Sequence, residues 1–364
     1  MSPATDDEAA MRRAIAVATG VRSTTSPNPW VGCVIEPGGF EGATQPPGGR
    51  HAEVVALAAA GEAARGATLF TTLEPCAHHG RTPPCAGAIA AAGVARVVVG
   101  ITDPDPRVAG AGVAALRAAG VEVATGVGAS EVAAQLAPYL KHRTTGRPWV
   151  VVKLATTLDG RTAAADGSSR WITGVEARAD AHRLRADSDA VLVGAGTVRA
   201  DDPALTVRDA GRPGDGEPTR SARSPLRVVL GKASTQARAQ PVLELEGDLG
   251  GVLDDLGQRD VLQVLVEGGA TVAGAFHRAG LVDRYVFYLA PALLGGDDCR
   301  PVLAGPGAPT MADIWRGRII EVRRLGDDLR VDLAPAAGPG VPGAPGAPGV
   351  PGAPGVPGVH GADG

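Results

Sequence analysis

The sequence predicts an α/β protein built of two domains in series. Short apolar runs alternate with helix-like stretches from residue 6 to residue 142. The segment "RTTGRP" (143–148) then breaks the pattern, and a second alternation of the same kind occupies residues 149–335. Alternating strands and helices imply parallel βα units, and a chain of 364 residues has room for two such cores.

In the first domain, residues 6–20 carry the apolar spacing of a helix, and "VGCVI" (31–35) reads as a buried strand after the turn "SPNP". "HAEVVALAAAG" (51–61) is a helix stopped by a glycine. "ATLFTTLEP" (67–75) is a strand, and "PPCAGAIAAAG" (83–93) a helix that starts at prolines. Strand, helix and strand follow at 95–101, 108–120 and 121–126. In the second domain "WVVVKLATTLDG" (149–160) is the first strand, with a helix at 175–188 and strands at 190–198, 226–231, 261–269 and 283–295. "GRIIEVRRLG" and "LRVDLAP" form a hairpin around "GDD". Residues 209–225, rich in Gly, Pro, Ser and Arg, read as an exposed loop. From Gly340 a glycine recurs at every third position. Eight triplets are few for a triple helix and the prolines sit in the third place, so residues 336–364 are read as a disordered tail.

Composition narrows the function classes. A net charge of -4 gives no overall electrostatic grip on nucleic acid, and 3% aromatics supply few stacking platforms. No apolar run reaches 18 residues, so no membrane span is expected. The N-terminus is acidic and then amphipathic, without the basic flank and apolar run of a signal peptide, so a soluble, cytoplasmic protein is expected. In that compartment the four cysteines point to metal or catalysis rather than to a disulfide framework.

"HAE" (51–53), "PC" (75–76) and Cys85 supply the chemistry of the first domain. A hydrolytic zinc takes three protein ligands and leaves one position for water. His51, Cys76 and Cys85 offer one nitrogen and two sulfurs. Glu53, two residues past His51, does not share its helix face, so it is placed to move the proton of a bound water rather than to ligate. Cys76 and Cys85 both lie near a predicted helix start, which favours thiolate. Taken singly, the histidine would be a helix cap and the cysteines core residues; jointly they form the His-x-Glu, Pro-Cys, Cys pattern of zinc deaminases. His78 and His79 would close the open site as ligands, so they are assigned to substrate contact. Cys33 reads as core, and Cys299 belongs to no motif.

The second domain has no GxGxxG fingerprint. "VEGGATVAG" (266–274) follows a strand and opens a helix, which lets a phosphate approach, although the same turn serves structure alone. Lys153 and Glu267 border buried strands, where an unpaired charge is costly, so both are assigned a site role. Arg185 and Arg208 suit a phosphate or a planar polar group, or else are solvated surface charges.

"SPNPWVGCVI", "HAEVVAL", "TLEPCAHHGRTPPC", "DPDPRVAGAG", "KLATTLDGRTA", "SRWITG", "LRADSDAVLVGAGTVRADDPALTVR", "VEGGATVAGAF" and "LAPALLGG" together resemble the bifunctional deaminase–reductase family of riboflavin biosynthesis over residues 6–335. The eight residues between Cys76 and Cys85 separate this family from nucleoside and nucleic-acid deaminases. The resemblance implies a cytidine-deaminase-like three-layer domain at 1–142 and a dihydrofolate-reductase-like domain at 149–335. It implies zinc on His51, Cys76 and Cys85, with Glu53 as proton shuttle and Asn28 against a pyrimidine ring. The first domain would deaminate a diaminopyrimidinone bearing a ribosyl phosphate. The second would reduce the ribosyl group to ribityl with NADPH, and Lys153 would stabilise charge or move a proton. Cofactor contacts are implied at Ala155, Trp171, Thr197, Asp201 and the turn of Gly269, Ala270, Thr271, Val272, Ala273, Gly274 and Ala275. Substrate contacts are implied at Ser169, Arg185, Leu205, Arg208 and Glu267. The expected partners are these phosphoribosylaminopyrimidines, with no nucleic acid and no membrane, and a homo-oligomer is expected.

The chain departs from the family pattern at Thr44, where a substrate-holding histidine is usual. It departs again at Gly231-Lys232 and in a shortened stretch from there to Val261. Two other readings stand beside this one: a working deaminase with an impaired reductase, and a non-catalytic, zinc-stapled binding protein. The last conflicts with an intact Glu53 and with only three ligands, since structural zinc takes four.

Overall fold

The computed structural model describes residues 3–77, 84–106, 108–207, 224–267 and 269–336. His78, His79, Arg208 and the Gly-X-Pro tail, all singled out above, lie outside these residues. The first domain runs α1 (Pro3–Thr19), the single turn α2 (Arg22–Thr25), β1 (Gly32–Glu36), β2 (Phe40–Ala43) and α3 (Ala52–Ala60). It continues with β3 (Thr68–Leu73), α4 (Cys85–Ala91), β4 (Arg96–Ile101), α5 (Ala111–Ala118), β5 (Glu122–Thr125), α6 (Ala129–Gln135) and α7 (Ala137–Thr145).

Its sheet has the order β2-β1-β3-β4-β5. β3, β4 and β5 are parallel, as the βα alternation requires, but β1 is antiparallel to both neighbours. The expectation of uniformly parallel units fails here because the chain turns straight back through Pro37–Gly39 instead of crossing over a helix. Glycines let helices close on both faces. A Cβ on Gly32 would overlap the Ala14 carbonyl of α1, and one on Gly42 would overlap the Ala52 carbonyl of α3. Gly42 pairs with Cys33, the residue after Gly32. Strand alternation therefore sets α1 and α3 on opposite faces, which makes three layers.

The second domain runs β6 (Trp149–Thr157), β7 (Arg161–Ala163), α8 (Val175–Ala186), β8 (Ala190–Gly194), α9 (Ala195–Asp201), β9 (Leu226–Leu230) and β10 (Leu243–Leu245). Then come α10 (Leu249–Gln258), β11 (Gln263–Val266), α11 (Ala270–Arg278), β12 (Arg284–Ala290), β13 (Arg300–Pro301), β14 (Gly317–Leu325) and β15 (Asp328–Pro335). Eight strands form one sheet in the order β10-β9-β8-β11-β6-β12-β15-β14, parallel from β10 to β12 and closed by the predicted antiparallel hairpin.

The strand predicted at 190–198 stops at Gly194. From Ala195 the chain is helical and buries Val198. The strands predicted at 261–269 and 283–295 end at Val266 and Ala290. The short-looking stretch after Lys232 holds β10 and α10; Gly250 and Gly251 mask the helix signal, while Val252, Leu253 and Leu256 provide its buried face. Arg143–Thr145, read as linker, are the last turn of α7, which Gly146 ends in the left-handed conformation.

Period-2 alternation splits the second core in two. Val150, Val152 and Leu154 pack into one cluster, and Val151, Leu265, Val286 and Tyr288 into another on the opposite face. Lys153, Ala155 and Glu267 fall in phase with the second set. The domains meet along α7. Lys141 pairs with Asp283 at 2.5 Å, and the His142 ring lies 3.0 Å from the Gly257 carbonyl. Arg22 donates to the Gln263 side chain at 2.7 Å, and Leu262 packs into the first domain's core. No described helix is long and apolar enough to cross a membrane.

Candidate functional site

His51 is the N-cap of α3, and Glu53 lies in its first turn. The ring makes no capping bond and turns instead to two sulfurs: Nδ1 lies 3.2 Å from Cys85 Sγ and 3.6 Å from Cys76 Sγ. All three donor atoms lie within 4.8 Å of one another. Ligands bonded tetrahedrally at about 2.0–2.3 Å stand about 3.3–3.8 Å apart, so this donor set fits one zinc ion. Cys85 opens α4, whereas Cys76 follows β3 and begins no helix. The helix end still reaches it, because the Cys85 N–H points at Cys76 Sγ at 3.4 Å.

Hydrogen bonding from Cys85 pulls the Cys76 thiol well below the ordinary range, helped by His51. Cys85, on the donor side of that bond, is pushed up. Glu53 is only 4% exposed, and burial pushes its carboxyl up.

Asn28, Thr44, His51, Glu53 and Cys76 all line one cavity of about 610 Å³. Thr44 is engaged in the fold. Its hydroxyl accepts the Val31 N–H at 3.1 Å and donates to the Val31 carbonyl at 3.4 Å. The cavity wall at residues 103–113 hangs on Glu74. One carboxylate oxygen of Glu74 accepts the N–H groups of Asp103 and Gly110 at 3.2 and 2.9 Å. The other accepts those of Gly112 and Val113 at 2.9 and 3.1 Å.

In the second domain Lys153 lies in mid-β6 rather than at a strand end, and Glu267 follows β11 directly. Register makes them neighbours, since Val152 pairs with Val266. Arg185 of α8 donates to both Glu267 oxygens at 2.5 and 2.7 Å and to the Thr206 carbonyl at 3.0 Å. Burial would push the Glu267 carboxyl up, but the hydrogen bonds and charge of Arg185, with Lys153 behind them, hold it below its usual range. Burial pulls the Lys153 amine down against the opposing charge of Glu267. Its ammonium lies 5.8 Å from the centre of the Tyr288 ring, and the Tyr288 hydroxyl is fixed by Asp180 at 2.7 Å. Beside this cluster, the Thr197 hydroxyl of α9 accepts the N–H of Gly269, the N-cap of α11, at 3.0 Å.

Residues 148–331 match the RibD C-terminal domain, and residues 4–101 match the cytidine and deoxycytidylate deaminase zinc-binding region. The riboflavin biosynthesis protein RibD of Escherichia coli is 41% identical over 366 residues, covering 91% of this chain and 100% of that protein. The chain belongs to the RibD family. The RibD protein of Mycobacterium tuberculosis is 46% identical over 339 residues, covering 89% of this chain and 96% of its own. The solved RibD structure from Acinetobacter baumannii superposes with a TM-score of 0.84 at 40% identity, over 92% of this chain and 100% of that one. A diaminohydroxyphosphoribosylaminopyrimidine deaminase/5-amino-6-(5-phosphoribosylamino)uracil reductase from Thermotoga maritima gives 0.80 at 34% identity, over 92% and 100%. This RibD-family chain is a bifunctional enzyme of riboflavin biosynthesis, with a zinc-binding deaminase domain followed by a reductase domain.

Within this RibD-family fold, the expected second-site residues fall into groups. Arg185 and Glu267 pair directly, Lys153 acts on Glu267 through its charge, and Thr197 joins Gly269. The carbonyl of Asp201 accepts from Arg170 at 2.7 Å, which ties α9 to the loop of Ser169 and Trp171. Trp171 is 70% exposed and carries Arg178 over its ring at 4.6 Å. Two sets of expected contact residues are largely buried. Leu205 is buried in the core with a positive φ of 51°, so only its backbone is available to a substrate. In the turn 269–275, Thr271 is exposed and Val272 and Ala275 half-buried, whereas Ala270, Ala273 and Gly274 are buried and offer a cofactor no side-chain surface. Lys232 is exposed and paired with Glu244 and Glu246 at 3.4 and 3.7 Å, so the Gly231-Lys232 departure is a surface one.

Sequence reasoning missed Glu74, Tyr139 and Tyr288. For Glu74 the signal was present: an acid at the end of an apolar strand needs partners.

Proposed function

We propose that the first site hydrolyses the amino group from a diaminopyrimidinone bearing a ribosyl phosphate, and that the second reduces the ribosyl group of the product to ribityl with NADPH. The observation that carries this is a one-nitrogen, two-sulfur donor set of which His51 and Cys76 line a cavity that also holds a buried carboxyl. The Thermotoga relative's name gives the two reactions.

His51, Cys76 and Cys85 would hold the zinc. When bound, zinc supplies a water acidified enough to attack the ring carbon at neutral pH. Glu53 moves the proton: a carboxylate oxygen takes it from the attacking water, and the carboxyl returns it to the amino nitrogen that leaves as ammonia. The Asn28 amide, with donors and an acceptor, orients the ring edge. In the second site NADPH supplies the hydride. Lys153 offers its ammonium to the charge that develops on the substrate, and Glu267, clamped by Arg185, keeps that ammonium in place. The N-terminus of α11 suits a phosphate.

Assaying ammonia release and cofactor oxidation separately tests the assignment. Glu53→Gln is expected to keep its zinc and its reduction of supplied deaminated substrate, while ammonia release falls by about 10²-fold or more. Near-normal ammonia release would pass the proton-transfer role to another residue.

A further inference from the structure

α7 works on two domains at once. Tyr139 and Arg143, four residues apart and so stacked on one face, both line the deaminase cavity. From the same helix Lys141 and His142 are tied to Asp283 and Gly257 of the reductase domain. Asp260, between α10 and β11, lines the same cavity. Part of the deaminase wall is thus held by the reductase domain.

The cavity is rich in acid. Among its described lining residues Glu53, Glu74, Asp103, Asp105 and Asp260 carry carboxyls, and Arg143 is the one permanent cation. Glu74 is engaged by four backbone N–H groups, and Asp103 by the Tyr139 hydroxyl at 3.0 Å. Arg143 is held in the wall by several weak contacts. Its guanidinium lies 5.1 Å from the centre of the Tyr139 ring, and one Nη reaches the Pro27 carbonyl at 3.4 Å. It forms a long ion pair with Asp105, Nε to Oδ2 4.0 Å. Its buried Nε has no hydrogen-bond partner among the described residues.

We infer that Arg143 anchors the phosphate of the deaminase substrate. This rests on the deaminase reading above and adds a specificity-determining residue to it. A planar guanidinium fixed by ring stacking presents a fork that matches phosphate oxygens. Among the described lining residues, Arg143 is the cation beside which an anionic group entering this carboxyl-lined pocket is stabilised. The reductase domain, by holding α7, fixes where the phosphate end of the substrate lies in the other domain's site.

The test uses the full chain and two substrates, the ribosyl phosphate and its dephosphorylated form. Arg143→Ala is expected to raise KM for the phosphorylated substrate by about tenfold to a hundredfold, the scale of one charge-assisted contact. Its kcat should stay within a few-fold, and KM for the dephosphorylated form should match wild type. Arg143→Lys should recover part of the loss. Inorganic phosphate should compete with substrate in wild type and not in Arg143→Ala. Reduction of supplied deaminated substrate reports that each variant is folded. An unchanged KM in both variants, or an equal rise for both substrate forms, overturns the assignment and leaves the deaminase reading standing. A wild type that releases no ammonia from either substrate overturns both.

Discussion

Glu74 offers the sharpest test of how the deaminase site is built. Glu74→Gln keeps the shape and removes one acceptor oxygen. Each Glu74 oxygen accepts two backbone N–H groups, so whichever side receives the amide nitrogen now sets two donors against a third. Two charge-assisted bonds are lost, at roughly 1.5–3 kcal/mol each. The expected cost is therefore about 3–6 kcal/mol, a large fraction of the 5–15 kcal/mol that holds a typical domain together. At about 2–4 °C per kcal/mol for a domain of this size, the deaminase transition should fall by roughly 6–24 °C. Calorimetry should show this transition moving while the reductase transition moves less. Hydrogen exchange should speed up at the amides of Gly110, Gly112 and Val113. Ammonia release should fall with it, because Asp103 and Asp105 belong to the same wall. A melting profile within 2–3 °C of wild type, with those amides still protected, would show that water or a neighbour takes over the role and would refute the argument.

Two further outcomes are expected. Cys76→Ser should lose both zinc and ammonia release, while Cys33→Ser, fully buried in β1, should keep both; metal analysis decides it, and a Cys76→Ser protein with stoichiometric zinc would overturn the ligand set. Lys153→Ala should lower cofactor oxidation by about 10²-fold or more through loss of a preorganised charge. It should leave ammonia release unchanged, because neither Lys153 nor its neighbours Glu267, Arg185 and Tyr288 line the deaminase cavity; a parallel loss of both activities in a folded variant would contradict two separate sites.

The deaminase centre was legible because its chemistry is local in sequence. A metal ligand set needs only donor types at workable spacing, and His51, Glu53, Cys76 and Cys85 fall within 35 residues. The reductase cluster is assembled instead by strand register. Lys153 and Glu267 meet only because β11 pairs with β6 and the two residues share a phase, which no spacing along the chain reveals. Similarly, β2 was missed because "FEGA" is only four residues long, with a glycine and no β-branched residue, and only the turn at Pro37–Gly39 and contact with α3 make it a strand. Arg185 read equally as a surface charge until α8 was seen to carry it to Glu267.

The same contrast explains α7. The segment "RTTGRP" has the composition of a linker, and the break in apolar periodicity is real. A helix that docks on two domains has no single apolar stripe, because its faces are spent on ion pairs, a carbonyl and a ligand cavity. Tyr139 and Arg143 point one way and Lys141 and His142 another, so the helix looks polar all round. What sequence reads as a spacer is therefore where the domains are coupled. The chemistry divides cleanly between two sites, since the groups that move protons and charge belong to one or the other. Substrate binding in the first does not divide in this way, because Asp260 and the anchored end of α7 complete its cavity from the reductase side. Fusion of the two domains in one chain thus carries a structural consequence beyond supplying two activities together: the second domain shapes what the first can bind.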